Sequence, residues 1–353
     1  KLARPARRNA ILLISAPQAA AYFWGELPEA AGQAMAHGPQ GYFVDVTAER
    51  VIAGGQGATA LHYAVQTLRQ VARVEAARWP ALQIVDWPTL AYRGVMMDVS
   101  RGKVPTLDTL KEVVDLLCLL KANVLQLYTE HTFDFAHHPR IGLGCGPLTG
   151  DDILALDAYA RSRGVELMPN LNSFGHCAHL LSLPEYRHLA ESAAGWSLSP
   201  AVEGTYDLLD DLYSDLLPAF TSRTFNVGCD ETWDLGKGRS AEAVAARGTG
   251  RVYLEHILRL RELAGRYGCR IQLWGDILLH YPELVPELPE DVVLLDWHYE
   301  ASDDYPSVRV FAASGREFWV CPGTSSWNTL FPRIENSNGN IQRLAFVGPS
   351  RVP

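Results

Sequence analysis

The hydrophobic and polar positions along the chain divide it into two regions with different patterns. In the first region, short apolar runs predict strands at 10–15, 42–46 and 51–53. From 59 to 76 the apolar residues follow a helical period, which is typical of an amphipathic helix. Because Pro88 cannot donate to a strand ladder, we expect residues 81–88 to form a connector. Residues 1–88 therefore predict a small α+β N-terminal domain.

Residues 89–353 alternate between strand and helix patterns. Seven short apolar runs predict strands at 95–98, 124–127, 165–168, 225–227, 271–274, 292–295 and 318–320. The clearest helix-period segments between them are 107–120, 153–160, 208–217 and 252–264. Gly164, Gly268 and Gly315 each stand between a helix and a strand, where a left-handed residue closes the helix. The alternation predicts a parallel α/β fold.

Two parallel architectures fit this alternation. A doubly wound sheet carries a glycine-rich fingerprint in its first strand-to-helix turn, and residues 98–103, Asp-Val-Ser-Arg-Gly-Lys, lack it. Polar and aromatic residues instead follow many different strands, as in a barrel whose site is built from all its C-terminal loops. The predicted fold class is therefore α/β, with a TIM (β/α)8-type barrel over 89–353 behind the small α+β domain. The pattern shows no eighth strand of the usual spacing.

Composition narrows the classes of partner. The 353 residues carry 31 Lys and Arg against 40 Asp and Glu, a net charge of -9, which argues against nucleic acid or an anionic membrane as the main partner. No apolar run reaches the roughly 18 residues of a membrane span. The six cysteines and eleven histidines show no zinc-site spacing, so we expect no zinc site. The chain begins at Lys1 rather than Met, which indicates a processed or partial product.

The residues that follow the strands mix carboxylates with tryptophans. Indole faces stack on the apolar faces of sugar rings while carboxylates bind hydroxyls, so this inventory suits a carbohydrate pocket. Asp230 and Glu231 form one of five adjacent acidic pairs, but this pair directly follows a buried strand, whereas the others lie in polar stretches. A carboxyl at the mouth of an apolar barrel has its pKa raised toward values useful to a general acid.

Three segments together resemble a known family. They are Tyr-Arg-Gly-Val-Met-Met-Asp-Val-Ser-Arg at 92–101, Phe-Gly-His at 174–176, and Val-Gly-Cys-Asp-Glu-Thr-Trp at 227–233 followed by Leu-Gly. This combination resembles glycoside hydrolase family 20, the β-N-acetylhexosaminidases. The segment 58–69 also resembles the helix that closes the small N-terminal domain of that family. The similarity runs from about residue 42 to residue 330.

The resemblance implies a mechanism that uses the substrate as nucleophile. Members of this family are exceptions to the usual two-carboxylate scheme of retaining glycosidases. The 2-acetamido carbonyl oxygen attacks the anomeric carbon and forms an oxazolinium ion. By resemblance Glu231 protonates the leaving oxygen and later activates water, while Asp230 accepts the acetamide N–H and stabilises the positive charge. No metal or organic cofactor takes part.

The resemblance assigns further substrate-binding residues. Arg93 corresponds to an arginine that binds sugar hydroxyls, and His176 to a histidine near the sugar and the acid/base. Trp274 and Trp297 correspond to aromatic walls around the acetamido methyl group. Glu130 stands where many members have an aspartate. Three more residues have less direct counterparts in the family. Asp276 is expected to bind a hydroxyl or to cap the following helix. Tyr299 is expected to bind the acetamide carbonyl, and Trp327 to line the pocket.

These residues lead to a predicted function with open alternatives. The expected activity is an exo-β-N-acetylhexosaminidase that releases terminal GlcNAc or GalNAc, with glycans as partners. One alternative is another retaining barrel glycosidase with Glu130 or Asp98 as nucleophile, and another is a non-catalytic sugar-binding relic of the fold. The sequence resembles the compact, intracellular-type branch of the family, which favours a cytoplasmic location. A homodimer that covers the open barrel edge is a further hypothesis.

Overall fold

The computed structural model describes residues 8–15, 27–76, 78–325 and 329–350. The chain divides into two compact units. One comprises Lys1–Val95, Asp108–Val124 and Tyr159–Glu166, and the other comprises Met96–Leu107, Leu125–Ala158 and Leu167–Pro353. The first unit thus joins the N-terminal region to two helical segments from later in the sequence.

The first unit is built on a four-stranded sheet with the order β1-β3-β2-β4. Its strands are β1 (Ala10–Ile14), β2 (Tyr42–Val46), β3 (Arg50–Gly55) and β4 (Leu82–Asp86). Strand β1 runs parallel to β3, and β2 runs antiparallel to both β3 and β4. Side chains alternate between the faces of a strand. Tyr42 and Val44 of β2 therefore pack against helix α2 (Ala58–Glu75), while Phe43 packs against helix α1 (Glu29–Met35).

Strand β4 corrects the expectation of a connector at 81–88. Leu82 and Ile84 pack on the α2 side of the sheet and Val85 packs on the α1 side, so the side chains alternate between the two faces as in a strand. The ladder with β2 ends at Asp86. Pro88 lies beyond it and is never required to donate.

All seven strands expected after residue 89 are present. They are β5 (Gly94–Asp98), β6 (Val124–Tyr128), β7 (Glu166–Met168), β8 (Thr224–Asn226), β9 (Arg270–Trp274), β10 (Val293–His298) and β11 (Phe318–Pro322). Strands β5-β6-β7 form one sheet in chain order, and β8 to β11 form another in chain order with parallel pairing. A parallel bridge between Asn170 and Asn226 connects the end of β7 to β8. The predicted α/β class with parallel strands is confirmed.

Eight helices accompany these strands within the described ranges. They are α3 (Leu107–Leu119), α4 (Gly150–Arg161), α5 (Ala178–Ser182), α6 (Gly204–Leu216), α7 (Ala241–Arg247), α8 (Thr249–Arg266), α9 (Pro306–Ser314) and α10 (Ile334–Ser350). Gly164, Gly268 and Gly315 have φ values of 70°, 72° and 68°, as expected for residues that close a helix. Across the described residues no strand follows β11, and no helix is both long and apolar enough to cross a bilayer.

Buried amides join strands that are not neighbours in a sheet. Gln126 of β6 donates to the side chain of Gln272 of β9 at 2.7 Å, and Asn226 of β8 donates to Gln126 at 3.2 Å. Inward-pointing side chains from alternate strands meet in this way inside a barrel. These contacts connect β6, β8 and β9 through side chains from within the strands.

Candidate active site

The predicted site residues follow the carboxyl ends of successive strands in the second unit. They are Glu130 after β6, His176 after β7, Asp230 and Glu231 after β8, Trp274 and Asp276 at and after β9, and Trp297 and Tyr299 at the end of β10. Trp327 lies outside the described residues. Each loop thus delivers a different side chain to the same end of the strands.

The chain turns sharply where it leaves β8. Gly228, Cys229 and Glu231 have φ values of 70°, 72° and 50°. For a residue with a side chain, such a conformation costs about 1–3 kcal/mol and persists only where neighbours enforce it. A Cβ atom on Gly175 would lie 2.3 Å from the carbonyl oxygen of Asp230, so the β7 and β8 loops touch backbone to backbone. Glycine at 175 is required for this approach.

Two hydrogen bonds hold the backbone of Glu231. Its N–H donates to Oδ2 of Asp276 at 3.0 Å, and its carbonyl accepts from Nε1 of Trp196 at 2.8 Å. The Glu231 side chain is 50% exposed, so it faces open space rather than the core. The backbone is fixed while the carboxyl group is free to meet a ligand.

One imidazole joins the two adjacent carboxylates. Nε2 of His176 lies 3.2 Å from Oδ2 of Asp230 and 3.3 Å from Oε2 of Glu231. Burial alone would lower the pKa of His176, but the hydrogen bond and negative charge of Asp230 outweigh it and raise the pKa above its ordinary value. The negative charge of Asp230 thus favours the protonated imidazole, whose positive charge offsets that of the carboxylates.

Several buried polar atoms around this pair have no hydrogen-bond partner among the residues described. They are Oδ1 of Asp230, Oδ1 of Asp276, and the indole N–H groups of Trp274 and Trp297. Buried polar groups are nearly always paired in folded proteins. The two unpaired acceptors and two unpaired donors therefore mark positions that a polar ligand can satisfy.

Asp276 has a perturbed acidity. Burial, with a smaller contribution from the charge of Asp230, raises its pKa to about 6, against the opposing effect of the Glu231 N–H bond. Asp276 thus holds the backbone N–H of Glu231, although burial destabilises the ionised form of the Asp276 carboxyl group.

Aromatic rings border the site on two sides. Trp297 stacks on Tyr299 with ring centres 4.9 Å apart. Burial, together with the charge of Asp230, raises the pKa of Tyr299, so its hydroxyl keeps its proton. On the other side Trp196 packs on His176 at 4.6 Å and on Trp233 at 6.0 Å.

Sequence reasoning gave no role to these last two tryptophans. Trp233 lies two residues after Glu231 within the motif, which was a usable signal. Trp196 lies on a loop well beyond β7, where no strand end points to it.

Arg101, which follows β5 and to which the prediction assigned no role, lies in the site. Nη2 of Arg101 donates to the Tyr128 hydroxyl at 2.5 Å, and Asn172 donates to the same oxygen at 2.6 Å. Tyr128 in turn donates to Oε1 of Glu130 at 2.9 Å, and Arg101 Nε lies 3.3 Å from that oxygen. Arg101 and Glu130 are thereby held in fixed orientation near His176, whose Nδ1 lies 3.9 Å from Glu130.

Arg93 is placed differently from the expectation. It precedes β5, whereas the site residues follow their strands. Its guanidinium donates to Gln40 at 3.0 Å, to the Tyr63 hydroxyl at 2.7 Å, and to the carbonyls of Leu90 and Lys121 at 2.7 Å each. These bonds occupy the guanidinium within the first unit, so the structure does not bring Arg93 into the cluster.

The two carboxylates considered as alternative nucleophiles already have partners. Oδ1 of Asp98 accepts the backbone N–H groups of Ser100 and Arg101 at 2.9 and 3.1 Å. Glu130 is bound by Tyr128 and Arg101 as described. These hydrogen bonds hold both carboxylates in fixed positions on their loops.

Among the residues that the structure describes, two groups of side chains each offer three metal-ligand atoms within 4.8 Å of one another. One is His176, Asp230 and Glu231, and the other is His131, Cys145 and His179. The rings of His131 and His179 stack at 3.8 Å with planes 13° apart, so their nitrogen lone pairs do not converge on one point. Burial, aided by His179, lowers the pKa of His131 to about 4. The first group is explained by hydrogen bonding between an imidazole and two carboxylates.

Comparison with known proteins gives concordant matches. The profile "Glycosyl hydrolase family 20, catalytic domain" matches residues 136–325, and "Glycosyl hydrolase family 20, domain 2" matches residues 9–87. The beta-hexosaminidase subunit A2 of Dictyostelium discoideum is 28% identical over 163 residues, which cover 42% of this chain and 29% of that protein. The beta-hexosaminidase of Emericella nidulans is 26% identical over 251 residues, covering 62% of this chain and 41% of that protein.

A solved structure shares the fold. The chitobiase of Flavobacterium johnsoniae superposes with a TM-score of 0.68 at 22% identity, covering 81% of this chain and 46% of that one. The chain spans 29% and 41% of the length of the two curated relatives named above.

Proposed function

The chain belongs to glycosyl hydrolase family 20, and we propose that it is an exo-acting β-N-acetylhexosaminidase that releases terminal GlcNAc or GalNAc from glycans by substrate-assisted retaining hydrolysis. The observation that carries the proposal is the Asp230-Glu231 pair. One carboxylate presents a buried oxygen without a partner, and the next presents an exposed carboxyl group, with His176 between them.

The two carboxyl groups take different roles in the first step. The acetamide carbonyl oxygen of the substrate attacks the anomeric carbon as the glycosidic bond breaks, and protonated Glu231 gives its proton to the leaving oxygen. The unpartnered Oδ1 of Asp230 accepts the acetamide N–H. Its negative charge stabilises the oxazolinium ion, an interaction that strengthens as positive charge develops.

The second step returns the site to its starting state. The Glu231 carboxylate removes a proton from water, whose oxygen attacks the anomeric carbon and opens the oxazolinium ring. The sugar leaves with its original configuration and Glu231 is protonated again. One residue thus acts as acid and then as base, as microscopic reversibility requires.

The rest of the cluster positions the sugar. Trp274 and Trp297 supply an apolar slot for the acetamide methyl group, and the Tyr299 hydroxyl, which keeps its proton, donates to the acetamide oxygen. Arg101 and Glu130 bind ring hydroxyls, so that Arg101 fills the role that the resemblance assigned to Arg93. Asp276 positions Glu231 through its backbone N–H.

The test is hydrolysis of p-nitrophenyl β-GlcNAc and of p-nitrophenyl β-glucoside by the wild type and by Glu231→Gln. Activity on the acetamido sugar alone, lost in the variant, is the expected result. Equal rates on both sugars would indicate a protein nucleophile such as Glu130 or Asp98. No turnover of either would favour the sugar-binding relic.

A further inference from the structure

A cationic cavity lies next to the loops that carry the acid/base. Its volume is about 790 Å³, and it is lined by residues of α5, by residues 187–188 and 190–195, and by residues 237–239. Arg187, His188, Lys237 and Arg239 face it, in a chain whose net charge is -9. The local charge is thus opposite to that of the whole molecule.

The cations of this cavity are not neutralised by ion pairs. Elsewhere in the same unit arginines bind carboxylates, as Arg251 binds Glu287 at 2.7 Å. Within the described ranges no ion pair involves Arg187, Lys237 or Arg239. The Nε of Arg239 donates to a backbone carbonyl at 3.1 Å, which fixes the stem of the side chain and leaves the terminal amino groups for another acceptor.

One carboxylate, Glu191, is among the residues that line the cavity, but it is almost fully buried and hydrogen-bonded to the surrounding loops. Glu191 is buried and accepts from the hydroxyls of Ser199 and Ser240 and from the backbone N–H groups of Gly238 and Ser240. Asp234 is also buried and accepts the hydroxyl of Ser192 at 2.9 Å. Both hold the loops together from behind, so the accessible wall is basic.

Two tryptophans connect the acid/base to this cavity. Trp196 donates to the carbonyl of Glu231 at 2.8 Å and stacks on Trp233 at 6.0 Å. Lys237 Nζ lies 5.6 Å from the centre of the Trp233 ring, which is 53% exposed. Indole faces stack on sugar rings. Trp196 and Trp233 therefore form an aromatic surface that leads from Glu231, the proposed proton donor, toward Lys237 at the cavity.

We propose that the cavity binds an anionic group on the aglycone, so that the preferred substrates are β-N-acetylhexosaminides of acidic saccharides. Guanidinium groups bind carboxylate, sulfate and phosphate in bidentate geometry, and Lys237 adds a point charge. The inference rests on the proposed hydrolase activity, because that activity places the aglycone on the Glu231 side.

The test uses two disaccharides that differ in one group. GlcNAc β-linked to glucuronic acid and GlcNAc with the same linkage to glucose are titrated calorimetrically into Glu231→Gln, which leaves both intact. The disaccharide that contains glucuronic acid should bind about fivefold to tenfold more tightly than the one that contains glucose. This difference in affinity should shrink as added salt screens the charges. Arg187→Gln/Arg239→Gln in the same background should abolish the preference, whereas Arg251→Gln/Arg261→Gln, which removes two charges from α8, should retain it.

Several results would overturn the proposal. The proposal is wrong if the two disaccharides have equal dissociation constants, or if the preference survives Arg187→Gln/Arg239→Gln. It is also wrong if inorganic sulfate binds as tightly as the disaccharide that contains glucuronic acid. The salt dependence and Lys237→Met give readouts that do not depend on the double variant folding. Hydrolysis of p-nitrophenyl β-GlcNAc, which carries no anionic saccharide, tests the proposed function separately. Its rate should be unchanged when Arg187→Gln/Arg239→Gln is introduced into the otherwise wild-type chain, which keeps Glu231.

Discussion

Glu231 has a backbone conformation that residues with side chains seldom adopt. Its φ of 50° places the carboxyl group away from the continuing chain, and Oδ2 of Asp276 holds the N–H that would otherwise be unpaired. The supporting carboxyl has a raised pKa because it is buried. Precision at the acid/base is therefore obtained at a cost in stability.

That cost predicts a pH-dependent effect of Asp276→Asn. The pKa of this carboxyl rises from 3.8 to about 6 on folding, so its ionisation opposes folding increasingly as pH rises through this range. The amide keeps an oxygen acceptor without the charge. Thermal unfolding should therefore show the variant more stable than wild type by about 1–3 kcal/mol at pH 8, with the gain shrinking toward pH 4. A gain of the same size at both pH values would contradict this explanation.

The structural elements set which residues meet. The loops after β7 and β8 approach so closely that position 175 has no room for a side chain. This contact brings His176 between the two carboxylates, and neither loop alone forms the site.

Gly175→Ala should therefore separate the loops. The new Cβ would lie 2.3 Å from the carbonyl of Asp230, so the backbone must shift, and a displacement of about 1 Å in a catalytic group costs roughly 10²-fold in rate. We expect kcat to fall by that order in a protein that still folds. The matched control is Gly265→Ala in α8, where nothing lies within 4 Å of the added atom. Full activity in Gly175→Ala would show that the approach is not needed.

Strand β5 separates two arginines with different tasks. Arg93 before the strand bonds to groups of the first unit, and Arg101 after it bonds to Tyr128 and lies beside Glu130. Lysine cannot reproduce a planar fork of donors. Arg93→Lys should lower stability by about 1–3 kcal/mol with kcat/KM unchanged, whereas Arg101→Lys should lower kcat/KM at least about tenfold with little change in melting temperature. The reverse assignment of effects would restore the sugar-binding role to Arg93.

Pattern and periodicity located the elements better than they located the contacts between them. The strands after residue 89 were predictable because buried apolar runs alternate with helical stripes. Strand β4 was missed because Pro88 suggested a break, although the proline lies beyond the ladder. Trp196 was missed because its approach to Glu231 depends on the path of a long loop, which no local pattern encodes. Arg93 and Arg101 both flank β5; the position of Arg101 after the strand agrees with the other site residues, and the tertiary contacts then distinguish the two arginines.

At the scale of the whole molecule, charge is distributed unevenly over the protein. The chain is acidic overall, yet a basic cavity borders the loops of the acid/base. The domain boundary at residue 88 and the homodimer expected from an open barrel edge stay predictions. For the homodimer, light scattering that detects only monomer would count against it.

The central claim is that the acetamide oxygen of the substrate is the nucleophile. It is tested most directly by comparing kcat/KM for p-nitrophenyl β-GlcNAc and its 2-trifluoroacetamido analogue. Fluorine withdraws electrons from the acyl oxygen without altering the leaving group. The mechanism predicts a fall of more than about tenfold, equivalent to at least about 1.4 kcal/mol of lost transition-state stabilisation. Equal values for the two substrates would contradict it and assign the attack to a protein carboxylate.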